Sequence, residues 1–423
     1  MNRNRMNKKR MGRARVLSRA AAGMLAAALC FQPMTALAGP AGDSSLTSSS
    51  SNAGPGGGSG SSNSGSTGSS GGSTSVSNGG VSAVTSGLGV YRVTENEGIG
   101  AIARGVDVSY WQQNVNWSQV ASDNVQFAML ATRFRGNVDP FFAMNAANAS
   151  QAGLRLGAYI YSYATSVEMA QQEADFVLNL IKDYPISFPV VFDAEDANTL
   201  GTLTQSQVSD VINAFCKRIQ DAGYYPMVYA NEYWIANKID MSKISYDIWV
   251  AKYQQKYTYS KTSMWQASNT GSVKGVNGNV DIDYLYKDYT QIIPGNTWRT
   301  IAGNRYYYQN HVMQKAAWIN DGQNWYYMNA AGNPSKGWLE LSGKKYYLEA
   351  DGHMITGWKT LDGGWRYFDA SGEQATGWRA VDGSWYFMAD NGLMQTGWLE
   401  TGGKKYYLNA SGAMQAGWQN LGG

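Results

Sequence analysis

Three stretches of this chain place carboxylates beside runs of strand-forming residues. Residues 187–200 read SFPVVFDAEDANTL, an apolar run that ends in Asp193, Glu195 and Asp196. Asp107 closes the run GVDVS, and Asp281 opens the last run of a later segment, GNVDIDYLY. Residues i and i+2 of a strand share a face, so Asp193 and Glu195 should project together, about 6–7 Å apart along the chain. Two carboxylates that close in a partly buried site resist double ionisation, so one keeps its proton near neutral pH. Such an acid can protonate the leaving oxygen of a sugar. The competing reading is that acids after a strand are solvated or cap the next helix, and Asp-x-Glu alone does not decide between the two.

Other chemistries lose ground on residue types. The two histidines, His311 and His353, both lie far towards the C-terminal side, so a zinc amidase or a Cys/His peptidase would lack its usual ligands or base among the acids. Cys216 falls on the apolar side of a predicted helix and reads as core packing. No metal and no cofactor is expected. Carboxylate-based glycosidase chemistry is what remains among hydrolases.

Charge gives no reason to expect a nucleic-acid or membrane partner. The formal net charge is +3, but residues 1–19 hold eight Lys and Arg and no acid, so the remainder is net negative. Those residues, the apolar run Ala20–Phe31 and the small residues Ala36 and Ala38 resemble a secretory signal peptide over 1–38. The run is about twelve residues against the roughly twenty that span a bilayer. A Ser/Gly-rich segment, 39–100, is expected to be disordered because it buries too little apolar surface to offset its ordering entropy.

The elements that must position the acids occupy 101–290. Eight strand-like runs occur there: GVDVS, FAMLATRF, LGAYIYSYA, FPVVFDAE, MVYA, DIWVAKY, MWQAS and NVDIDYLY. Amphipathic helices fill the earlier gaps. The clearest starts at Thr204 with the capping box TQSQ, carries Val208, Ile212, Phe215 and Ile219, and stops before Gly223. The last gaps are too short for helices. The expected fold is α/β, an irregular (β/α) TIM-like barrel with its acids at the strand ends.

Several ordered motifs, RGVDVSYWQ, YIYSYA, PVVFDAED, YPMVYANEYW, DIWVAKY, MWQAS and GNVDIDYLY, together resemble glycoside hydrolase family 25, the muramidases or lysozymes, over about 104–289. The resemblance implies that Asp107, Asp193, Glu195 and Asp281 are the active-site acids, with Glu195 the proton donor. Asp193 would orient or stabilise the 2-acetamido group of the substrate, and Asp107 and Asp281 would complete an acidic floor. Tyr161, Tyr229 and Trp265 would line the sugar groove. Asp196, Asp283 and Asp288 are expected to be solvated or capping acids. A chitinase-like glycosidase and a non-catalytic wall-binding protein are the alternatives.

From 297 to 423 the texture changes. Trp298, Trp318, Trp338, Trp358, Trp378, Trp398 and Trp418 recur every twenty residues, with a second aromatic cluster between them. Aromatic strands separated by Gly-rich turns at a short fixed period predict an all-β solenoid of stacked hairpins. The pattern, as in GWRAVDGSWYFMADNGLMQTG, resembles choline-binding or cell-wall-binding repeats. That resemblance implies cation–π cages for choline, with Trp325, Trp338, Trp358, Trp365, Trp378, Trp385 and Trp398 as ligand-binding candidates. The mid-repeat Trp is replaced by Arg305, Lys345 and Lys405 in three units, where a resident cation would repel choline. Peptidoglycan and a wall polymer, teichoic acid choline or a glycan, are the expected partners of a secreted, wall-associated protein.

Overall fold

The eight strand-like runs form a closed ring in a computed structural model, which describes residues 74–78, 81–93, 98–253 and 255–418. The leader-like residues 1–38 lie outside them. The barrel strands are β1 Ala103–Val108, β2 Phe127–Ala131, β3 Arg155–Tyr161, β4 Ile186–Asp193, β5 Pro226–Asn231, β6 Asp247–Ala251, β7 Thr262–Gly271 and β8 Val280–Leu285. Neighbours from β1 through β7 pair in parallel, whereas β8 runs antiparallel to both β7 and β1 and closes the ring. Helices α1 Trp117–Ser122, α2 Phe142–Gln151, α3 Val167–Ile181, α4 Gln205–Asp221 and α5 Glu232–Asn237 fill the crossovers as far as β6. Short links between β6, β7 and β8 leave no room for a helix, and the final turn becomes a hairpin-like return.

Two apolar layers hold the ring. Phe127, Met129, Phe188, Val191, Met227, Trp249, Met264 and Leu285 pack together as one cluster, and the opposite faces of the strands, such as Val190, Phe192 and Val228, pack with Ala174, Val177 and Phe215 from the helices. Space for Phe127 depends on Gly105, where a Cβ would lie 2.2 Å from its ring. Helix α4 starts as expected: Thr204 Oγ1 accepts from Gln207 N at 3.3 Å, and Gln207 Oε1 accepts from Thr204 N at 3.0 Å. Its Val208, Ile212, Phe215, Cys216 and Ile219 are buried.

The expectation of disorder over 39–100 fails in its described part. Strands Thr74–Asn78, Val81–Ser86 and Gly89–Val93 form a three-stranded antiparallel sheet. Tyr91 is fully buried in the barrel's core cluster, and the Arg92 backbone exchanges two hydrogen bonds with the Asn124 side chain. The Ser/Gly bias ends by about residue 81, and Tyr91 beyond it anchors the sheet in the barrel's core.

Six hairpins follow: Thr297–Ile301 with Asn304–Gln309, Ala317–Asn320 with Trp325–Met328, Gly337–Leu341 with Lys344–Leu348, Gly357–Leu361 with Gly364–Phe368, Gly377–Val381 with Ser384–Met388, and Gly397–Thr401 with Lys404–Leu408. Five of the six close through two left-handed residues, for instance Asp362 (φ 51°) and Gly363 (φ 80°), while the second has a four-residue loop with Gly322 at positive φ. Each unit is stitched to an earlier one: Met354 N, Gln374 N, Met394 N and Met414 N donate to the carbonyls of Trp325, Lys345, Trp365 and Trp385 at 2.7–2.8 Å. The first hairpin belongs to the barrel's core, because Ile301, Tyr306, Tyr308 and Met313 pack in the barrel's own cluster.

Candidate active site

The strand ends converge on a cleft of about 490 Å³ lined by Asp107, Asp193, Glu195 and Asp281. Register places them. Asp107 on β1 is the cross-strand partner of Asp281 on β8, so the reversed last strand delivers its second residue to the same end of the barrel as the C-terminal ends of the others. Asp193, the last residue of β4, has Tyr161 of β3 and Tyr229 of β5 as its register neighbours. Glu195 lies two residues beyond the strand, where Ala194 N donating to Tyr229 O at 2.9 Å holds the extension in line.

The four acids share one electrostatic problem. Burial, followed by the charge of Glu195, raises the pKa of Asp193 well above the carboxylate range. Burial, then Asp281 and Asp283, does the same to Asp107. Glu195 is raised by burial and then by Asp281 and Asp196, and burial pushes Asp281 up to about 6. A cluster of this kind retains protons near neutral pH, which a general acid needs.

The surrounding side chains orient the floor. Gln266 of β7 donates Nε2 to Asp107 Oδ2 at 2.8 Å and accepts at Oε1 from Tyr229 Oη at 2.8 Å and Tyr253 Oη at 2.7 Å. Glu173 on α3 braces one wall: it accepts from Arg133 at 2.5 Å, Ser162 Oγ at 2.6 Å and Tyr163 N at 3.0 Å. Trp111, Phe134, Tyr159, Trp249 and Asn269 also line the cleft.

Of the three groove aromatics expected from sequence, Tyr161 and Tyr229 line the cleft and Trp265 does not. Trp265 points out of the barrel, donating Nε1 to Lys252 O at 2.8 Å and packing on Tyr257 and Tyr284. Its neighbour Gln266 is the residue that faces in. Two acids also depart from the expected solvated role. Asp283 is fully buried, accepts from Trp249 Nε1 at 3.0 Å, and shares the inward face of β8 with Asp281. Asp196 is buried, but it does cap: Oδ1 accepts from Asn198 N and Thr199 N, while Oδ2 accepts from Tyr161 Oη at 3.2 Å. Asp288 caps its turn by accepting from Thr290 N at 2.9 Å.

The repeats bring their aromatic residues together in sets. Trp358 packs with Trp365 at 6.4 Å and with Tyr386 of the next hairpin at 4.8 Å. Trp378 repeats this with Trp385 and Tyr406 at 6.4 and 4.8 Å. Trp318 meets Tyr346 at 5.0 Å, with Trp325 in the equivalent position. The second Trp of each set is about half exposed: 47 % for Trp325, 49 % for Trp365 and 48 % for Trp385. At two other positions a cation lies over the Trp: Arg305 of the same hairpin is 4.1 Å from the Trp298 ring, and Arg366 of the next hairpin is 5.1 Å from the Trp338 ring. Trp398 is 68 % exposed and packs on Tyr407. Trp318, Tyr346, Tyr386 and Tyr406, which complete these aromatic sets, are not among the ligand-binding residues expected from sequence, although the twenty-residue period predicts their places.

Residues 106–276 match the model of glycosyl hydrolases family 25, residues 335–376 and 375–418 a choline-binding repeat, and 317–333 a putative cell wall binding repeat. The uncharacterized protein YegX of Escherichia coli K12 is 31 % identical over 189 residues, covering 42 % of this chain and 68 % of its own. Lysozyme M1 of Streptomyces globisporus is 30 % identical over 195 residues, covering 42 % and 66 %. Among solved structures, the modular Cpl-1 endolysin complexed with a peptidoglycan analogue is 21 % identical, covers 75 % of this chain and 97 % of its own, and gives a TM-score of 0.36. A bacterial lysozyme from Streptomyces coelicolor is 25 % identical, covers 45 % and 95 %, and gives 0.37. The chain belongs to glycosyl hydrolases family 25, a glycoside hydrolase of the muramidase type that carries choline-binding repeats after its barrel.

Proposed function

We propose that the protein is a secreted N-acetylmuramidase that cleaves the β-1,4 bond between N-acetylmuramic acid and N-acetylglucosamine in peptidoglycan, held on the wall by its repeats. The observation that carries this reading is the cluster of Asp107, Asp193, Glu195 and Asp281 in one cleft, on a barrel whose relatives include a lysozyme. Secretion rests on the leader-like residues 1–38.

Glu195, kept protonated by burial and its acidic neighbours, donates its proton to the departing glycosidic oxygen. Asp193 orients the 2-acetamido group, whose carbonyl oxygen attacks the anomeric carbon as the bond to the leaving sugar breaks. The Glu195 carboxylate then takes a proton from water, which opens the cyclic intermediate and restores the acid. Asp193 and Glu195 reach the cleft from the end of one strand, so neither is placed to activate water on the far face of the sugar. Net retention of configuration follows. The aromatic sets at Trp318, Trp358 and Trp378 suit the choline of a wall polymer, and several weak contacts would hold the enzyme without one tight site.

The test is to digest purified peptidoglycan, reduce the products with borohydride and identify the reduced sugar by mass spectrometry. Reduced muramic acid is expected. Reduced glucosamine would overturn the bond assignment. Glu195→Gln should lower turnover at least about 100-fold while leaving wall binding unchanged; an active variant would remove Glu195 from its role.

A further inference from the structure

A cavity of about 360 Å³ lies beside Trp338, lined by Glu340, Lys345, Asp362, Arg366 and Gln374. Its place in the array is that of the aromatic cages, but its walls differ. Lys345 stands where Trp325, Trp365 and Trp385 stand in the cages, and Arg366 stands where Tyr346, Tyr386 and Tyr406 stand. We propose that this cavity binds a neutral glycan segment, one or two sugar rings stacked on Trp338, and does not bind choline.

Three observations lead there. Both cations line the pocket: Lys345 lies at its exposed rim, and Arg366 is a fixed wall. Arg366 is 7 % exposed, donates Nη1 to Asn391 O, and sits over the Trp338 ring. A quaternary ammonium would meet like charge on two sides. Glu340 and Asp362 match those cations in number, and Asp362 accepts from Trp338 Nε1 at 3.1 Å, so the pocket has no excess positive charge to draw a phosphate or carboxylate. What remains is an aromatic wall, 40 % exposed, ringed by oriented donors and acceptors. Gln374 is buried and held through its own backbone N–H to Lys345 O at 2.7 Å. A pyranose ring offers the complement: an apolar C–H face for the indole and hydroxyls that both donate and accept. The volume falls within the ordinary range for small-ligand pockets.

The inference rests on the proposed wall-binding role only for the source of the glycan. The experiment therefore reads binding and not turnover. Full-length Glu195→Gln protein is applied to an array of neutral hexose oligosaccharides in saturating choline chloride, and the strongest hit is titrated by calorimetry. Binding should persist in choline, fall at least about tenfold in Trp338→Ala, and stay unchanged in Trp378→Ala, with thermal melting confirming that both variants fold. The paired change Lys345→Trp with Arg366→Tyr rebuilds the cage composition and should abolish glycan binding while adding one choline per chain. The proposal is overturned if no neutral glycan binds, if choline displaces the bound glycan, or if the Trp338 and Trp378 variants lose it equally. Loss of muramidase activity in any of these proteins would leave the result unaffected.

Discussion

Asp283 shows what it means to build an acid cluster on two inward positions of one strand. Its carboxyl is buried beneath Asp281 with Trp249 Nε1 as a donor, and burial followed by the Asp281 charge raises its pKa well above the usual range. In the unfolded chain the same group ionises near pH 4. Below that pH both states hold the proton and no difference arises. As pH rises, the unfolded state releases its proton while the folded state keeps it, so stability falls. Asp283→Asn keeps an acceptor for Trp249 and removes the titration. Urea unfolding should find the variant similar to the parent at pH 4 and more stable at pH 8, by about 1.4 kcal/mol for each unit of pKa difference. An equal gap at both pH values would contradict this. Part of this chemistry was visible in the sequence, since Asp107, Asp193, Glu195 and Asp281 all sit at strand ends in the motif positions. Asp283 and Gln266 were hidden because barrel strands are buried on both faces. In MWQAS, hydropathy alone points to the indole as the inward group, whereas Gln266 takes that place and Trp265 packs outward.

At the scale of elements, α3 does more than cover the sheet. Its Glu173, with a side chain 7 % exposed, ties Arg133 after β2 to Ser162 and Tyr163 after β3. One helix carboxylate thus fixes one wall of the cleft. Glu173→Ala leaves a largely buried guanidinium without its carboxylate and the Ser162 hydroxyl without its acceptor, and should cost about 3 kcal/mol or more, with KM for peptidoglycan fragments rising more than kcat falls. Equilibrium unfolding and steady-state kinetics check the two parts, and a loss below about 0.5 kcal/mol with unchanged KM would refute the bracing role. The eight strands and the Thr204 capping box were legible from spacing. The reversed direction of β8 was not, because a short link is compatible with either sense until the ring is seen to close. The small sheet of residues 74–93 was masked by the Ser/Gly bias beside it, although Val81, Val84, Val90 and Tyr91 supply an apolar pattern.

For the whole molecule, the joint between barrel and repeats turns on Arg299. The guanidinium is 1 % exposed and lies 3.9 Å from the Tyr224 ring and 4.3 Å from the Tyr308 ring. Tyr308 Oη donates to Lys182 O at 2.8 Å, and Lys315 pairs with Asp183 at 2.7 Å. These barrel residues lie after α3 and α4, before the strands that follow, so the first repeat docks at the end of the barrel opposite the cleft. Arg299→Ala should weaken this joint by about 2 kcal/mol or more. Scanning calorimetry should then resolve separate transitions for barrel and repeats, and a single transition at the parent temperature would show that the stack does not couple them. The backward course of β8 reaches further still. Asp107 and Asp281 meet as register partners on the first and last strands of the ring, so the acidic floor of the cleft forms only when the barrel closes. A chain still being synthesised, or one clipped before its last strand, holds Asp107 without its cross-strand partner, so the four-acid arrangement is assembled in a single late event rather than by degrees.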